Sequence, residues 1–175
     1  MTKARIFSNI TSWLRKSGPV FLALSWCLGL VCGIQAARTA SDTLIPLMRE
    51  AVRRPVSILG LLNVTVLPFL ISAYAVSLPE PWLLLTISST KAFIFGFCAY
   101  GVRLAFGQSS WLVRFLFLFS DSCLIPLLLL FWLRHIGNKK PVRRWELIAC
   151  LAAAAIVGTI DYRFISPFLV TLLSS

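Results

Sequence analysis

Acidic residues and histidine are scarce in this chain: six Asp and Glu stand against 17 Lys and Arg in 175 residues, and His135 is the sole histidine. Metal sites need several carboxylate, imidazole or thiolate ligands at set spacings, and acid–base catalysis draws largely on the same groups. No His-Glu-x-x-His, Gly-x-Ser-x-Gly or phosphate-cradling glycine loop occurs. Cys27, Cys32, Cys98, Cys123 and Cys150 form no Cys-x-x-Cys pair, and an odd number of thiols inside apolar segments gives no disulfide framework. The reading is noncatalytic, with no metal and no cofactor. Nucleic-acid binding has no support beyond bulk charge.

What the chain does hold is apolar surface: 58% of its residues are hydrophobic, and its mean hydropathy is +0.86. A bilayer core of ~30 Å takes about 20 helical residues. Five stretches qualify, at 19–37, 56–78, 82–106, 111–133 and 147–173. The apolar residues run on continuously, as in Leu124 to Leu133, instead of alternating, so helices are preferred to a barrel. The expectation is an all-α, polytopic bundle of about five transmembrane helices forming one integral membrane domain over 1–175. The basic start followed by an apolar segment has the general form of a signal peptide. Ser25, Gly29, Gly33 and Ala37, however, recur every four residues on one helix face, which predicts a retained helix packed closely against another.

The net charge of +11 gathers in the segments between spans, as orientation requires. Lys3, Arg5, Arg15, Lys16, Arg134, Lys139, Lys140, Arg143 and Arg144 would lie on one side, against Arg38, Arg49, Arg53 and Arg54 on the other. Nine against four, or nine against six with Arg103 and Arg114, predicts an N-terminus in the cytoplasm. Residues 42–54 read as a short amphipathic helix lying at the opposite interface, with Ser41 and Asp42 as capping oxygens and Pro55 ending it. The 134–146 segment reads as a basic loop able to touch anionic lipid heads.

Lys91, Asp121 and Asp161 fall inside the spans, where an ionised group is expensive and seeks a partner within the protein. At 1.5 Å per residue, Lys91 lies about 14 Å from one boundary and Asp121 about 15 Å from the other, so a pair near the midplane is possible. Asp161, at about 22 Å, matches Arg114 at about 26 Å, with Arg103 the second choice. Ser166 and Pro167 predict a helix bend that lets Arg163 snorkel to the interface.

The order of these motifs resembles the stage II sporulation protein M family. Leu28-Gly29-Leu30-Val31-Cys32-Gly33 looks like its glycine-spaced opening span, and Thr90-Lys91-Ala92-Phe93-Ile94-Phe95-Gly96-Phe97 is similar to its Lys-Gly-apolar-Gly-Phe segment, with Ala92 in place of Gly. Phe119 and Ile125-Pro126 match a further stretch in which Ser120, Asp121 and Ser122 replace the usual polar centre. Asp161 ahead of Phe164-Ile165-Ser166-Pro167 resembles the closing turn. The resemblance implies a scaffold for a peptidoglycan-remodelling complex in endospore engulfment, partnered by a membrane-anchored peptidoglycan hydrolase and a second sporulation membrane protein, and it adds Gly96 to the packing positions. The alternative is a small membrane transporter or channel in which Lys91, Asp121 and Asp161 line a polar path, in one chain or a homo-oligomer. A scaffold predicts paired charges without an aqueous route. A transporter predicts an accessible charge and a cavity near the midplane.

Overall fold

The apolar runs form helices throughout the computed structural model, which describes residues 3–54, 57–78, 82–107, 111–135 and 142–174; the side chains of 3–16, 52, 53, 58, 62, 77 and 174 are left out of the description. In chain order these are α1 (Lys3–Thr39), α2 (Ser41–Arg53), α3 (Ile58–Thr65), α4 (Leu67–Ser77), α5 (Trp82–Phe106), α6 (Trp111–Phe117), α7 (Phe119–His135), α8 (Arg144–Ile160) and α9 (Ser166–Ser174), with a π-helical turn at Asp161–Ile165 between the last two. Among the described residues four stretches are long and apolar enough to cross a membrane: Ser17–Thr39, Leu59–Val76, Trp82–Phe106 and Arg144–Leu173. The α6–α7 pair, bent by 60°, makes a fifth if taken as one broken span. The chain is an all-α, polytopic membrane protein. Pro55, Gly137, Asn138, Lys139, Lys140, Pro141 and the turn at 108–110 lie outside the described residues.

The tightest joint is between α1 and α5, and small residues make it. A Cβ at Gly29 would overlap the Ser89 carbonyl, one at Gly33 the Phe93 carbonyl, and one at Gly96 would sit 2.6 Å from the Leu30 carbonyl oxygen. Ala37 on the same α1 face is fully buried. Ser25 turns its hydroxyl back to the Leu22 carbonyl at 2.9 Å, hiding a polar group within its own helix. Because Gly29 meets Ser89, Gly33 meets Phe93 and Arg38 meets Tyr100, the two helices run parallel.

Three expected spans are interrupted. The second breaks at Val66, two residues before Pro68, which has no N–H to offer the Val64 carbonyl and whose ring crowds it; the Phe69 and Leu70 N–H groups bond Val66 instead, at 3.1 and 3.2 Å. The fourth bends at Leu118, just ahead of the polar Ser120-Asp121-Ser122 run. In the fifth, where Ser166 and Pro167 predict a bend, a widened π turn covers Asp161–Ile165, in which the Ser166 N–H bonds the Asp161 carbonyl five residues back. Pro167 deprives the Arg163 carbonyl of its usual donor, and a π turn absorbs the missing bond.

α2 packs where expected, from Ser41 to Arg53, with Leu44 buried and Leu44 and Met48 set against Gly101 of α5. The expected Ser41 or Asp42 cap does not form: Ala40 occupies the N-cap position, and a one-residue link ties both helices by Ala40 N–H to Ala36 carbonyl and Leu44 N–H to Ala40 carbonyl bonds. Gly107, at φ +79°, closes α5 by a 2.9 Å bond from its N–H to the Arg103 carbonyl.

Two apolar clusters result. Leu22, Phe69, Leu84, Leu124, Leu128, Trp132 and Ala154 pack toward the His135 end, and Val102, Val113, Leu116 and Leu169 toward the α2 end. Trp132 Nε1 donates to Ser72 Oγ at 2.8 Å, satisfying the one polar atom of a fully buried indole. At the His135 end, Glu146 joins α7 to α8, lying 2.9 Å from Arg134 and 3.3 Å from His135 Nε2. The other ring nitrogen, Nδ1, is 2.8 Å from the Phe131 carbonyl, which only accepts, so the Nδ1 hydrogen is fixed there.

Candidate functional site

On α5, on α7 and in the π turn after α8, the ionisable side chains stand along the chain between residues of the two apolar clusters. Lys91 stands between Leu84 and Val102, Ser120 and Asp121 between Leu116 and Leu124, and Asp161 between Ala154 and Leu169. The folded chain therefore carries its intramembrane charges in one layer. Lys91 Nζ lies 2.6 Å from Asp121 Oδ1, and the two side chains are only 11% and 12% exposed. Within a low-dielectric surrounding, such a pair offsets much of the penalty of either charge alone. Asp121 also occupies the first turn of α7, where the aligned peptide dipoles favour negative charge.

Asp161 is held differently from the expectation. Its carboxylate accepts a hydrogen bond from Ser120 Oγ on α7, and among the described residues no ion pair joins it to Arg114 or Arg103. Depth counting on straight helices pointed to Arg114; the bend at Leu118 and the π turn reorient both elements, so that Ser120 faces Asp161. Arg103 instead lies over Tyr100, its Cζ 5.8 Å from the ring centre. Arg163 is exposed and borders a separate cavity of about 310 Å³ with Thr65, Gly158 and Tyr162.

A cavity of about 290 Å³ opens on this layer. Ser120, Asp121, Asp161 and Ser166 supply its polar wall, Leu61, Val64, Leu116 and Leu169 its apolar wall, and Arg54 stands beside it. Arg54, just past the end of α2, is itself ion-paired with Glu50 in the last turn of that helix. Sequence reasoning singled out the two aspartates but missed Ser120 as a partner and Arg54 as a lining residue. The polar trio 120–122 inside an apolar run was the available signal for Ser120; Arg54 had none, because only the packing of α2 brings it there.

The arrangement sums to one lysine against two carboxylates. Lys91 neutralises Asp121, leaving the Asp161 carboxylate with a single neutral side-chain donor among the described residues. Among the described residues no group of three or more Cys, His, Asp and Glu side chains is placed to hold a metal ion. The chemistry open to the layer is reversible association of a proton or small cation with a carboxylate. No family model, curated protein or solved structure matches the chain.

Proposed function

We propose that this protein is a small membrane transporter or channel that passes a cation, with Asp161 as the binding carboxylate. The observation that carries this reading is the cavity reaching Asp121 and Asp161 between the two apolar cores. Ion sites in membrane transporters are commonly built at interrupted helices, where freed backbone groups and helix ends meet the substrate. Here a π turn begins at Asp161 and a 60° bend lies two residues before Ser120. Lys91 fixes Asp121 in position, and the Ser120 and Ser166 hydroxyls offer oxygen to a partly dehydrated cation. The engulfment scaffold implied by the family resemblance rests on short motifs, and it calls for charges without an aqueous cavity.

The test is flux in proteoliposomes holding the purified full chain, driven by an imposed membrane potential, with proton, Na⁺ and K⁺ each read separately. One of the three is expected to move, and Asp161→Asn is expected to cut that flux by roughly tenfold or more, as befits a functional intramembrane charge. Asp42→Asn, distant from the layer, should leave it unchanged. Wild-type vesicles no leakier than empty ones to all three ions would overturn the proposal.

A further inference from the structure

A second charged feature lies at the α2 end of the bundle, away from the cavity wall formed by the aspartates. Arg38 donates from Nε to Tyr100 Oη at 3.2 Å, with its Cζ 5.6 Å from the ring centre. Arg103 sets its own Cζ 5.8 Å from the same ring. Arg49, on α2, donates from Nε to the Ala105 carbonyl at 3.2 Å, one turn further along α5. All three side chains are exposed. None takes part in an ion pair among the described residues, whose close contacts between basic and acidic side chains are Arg54–Glu50, Lys91–Asp121, Arg134–Glu146 and His135–Glu146. Of the nearby acids, Glu50 is engaged by Arg54 and Asp42 accepts the Ser41 hydroxyl at 3.3 Å.

Like charges gathered this closely repel unless something answers them. The ring face of Tyr100 and the carbonyl end of α5 answer in part, since both present partial negative charge. Neither supplies a full counter-charge. A guanidinium keeps further donors free when only its Nε is used, and their fork matches the oxygens of a phosphate.

Depth identifies the anion. The 25 residues of α5 span about 37 Å at 1.5 Å each, longer than a ~30 Å hydrocarbon core, so its last turn reaches headgroup level. Arg103 is in that last turn, and α1 ends beside it at Thr39. On α2, Leu47 is 59% exposed while its neighbours Leu44 and Met48 seal against Gly101, so an apolar side chain is offered to lipid tails next to the arginines.

We infer that Arg38, Arg49 and Arg103 form a site for the phosphate of an anionic glycerophospholipid, with Tyr100 holding two of the three guanidinium groups in register. The site is independent of the cation path.

Native mass spectrometry of the purified, delipidated full chain tests it by titration with phosphatidylglycerol and, separately, phosphatidylcholine. The wild type is expected to retain phosphatidylglycerol preferentially. Arg38→Gln with Arg103→Gln should reduce that preference by about tenfold or more, given the contribution of each basic residue at a membrane surface. Arg143→Gln with Arg144→Gln, at the other end of the bundle, should preserve it. Equal retention of the two lipids by the wild type overturns the inference whether or not any variant folds. An unchanged preference in the Arg38/Arg103 variant overturns it too, and displacement of bound phosphatidylglycerol by millimolar inorganic phosphate reassigns the site to a soluble anion.

Discussion

Lys91 and Asp121 show how strongly a bilayer couples the fates of two side chains. Either charge left alone in the layer would be stranded, so Lys91→Ala is expected to destabilise the protein by about 3 kcal/mol, read as a lower unfolding temperature in detergent and as poorer accumulation in membranes. Lys91→Met combined with Asp121→Leu removes both charges and should recover most of that loss, because apolar replacement of a buried pair is often neutral or better. Absence of recovery would mean that the pair does more than cancel itself. Ser88, one turn before Lys91, has a fully buried hydroxyl without a hydrogen-bond partner among the described residues. Ser88→Ala should therefore be neutral or stabilising by up to about 1 kcal/mol, since an unanswered polar atom leaves the core. At this scale the sequence was informative about which residues matter, because an ionisable group in an apolar run is conspicuous. It was uninformative about the partner of Asp161, which depends on helix rotations that no depth count contains.

Among elements, the glycine face of α1 is the clearest link from sequence to packing. Gly33→Ala places a methyl group against the Phe93 backbone, which has no freedom to retreat, and should lower stability by about 1–3 kcal/mol. Gly60→Ala meets only the Ser57 Oγ at 3.0 Å and should cost far less, so thermal unfolding of the two variants side by side separates packing from general glycine effects. Periodicity made this face legible because a spacing of four is local information. The interruptions at Val66, Leu118 and Asp161 were less so: an apolar run reports that a segment can lie in lipid, not that its backbone is continuous. Pro68 and Pro167 were visible signs, but Pro19 sits inside an unbroken α1, and proline alone does not say which helix yields.

In the whole molecule, the all-α character and the four to five crossings follow from composition and run length. Which helices touch follows from much less. The α2 end reads as an interfacial helix from its amphipathic pattern, whereas the junction of Arg54 with the cavity exists only because Leu44 and Met48 dock on Gly101. At the opposite end, Glu146 serves both Arg134 and His135, so Glu146→Gln should loosen the α7–α8 junction and raise amide exchange at residues 131–135 and 144–150 more than in α1.

The parallel crossing of α1 and α5 also has a consequence for how the protein is made. Two parallel helices of a threaded chain cannot be consecutive crossings, so the strongest joint unites segments separated by a whole return passage through the bilayer. During synthesis the glycine stripe of α1 must wait, open to lipid, while some 65 further residues emerge, roughly several seconds at ordinary elongation rates. A nascent chain ending after Ser77 should accordingly be cleared by membrane proteases faster than one extended through Phe106, as pulse-chase labelling would measure. The interval between those two lengths is when this protein depends most on the cell's insertion machinery.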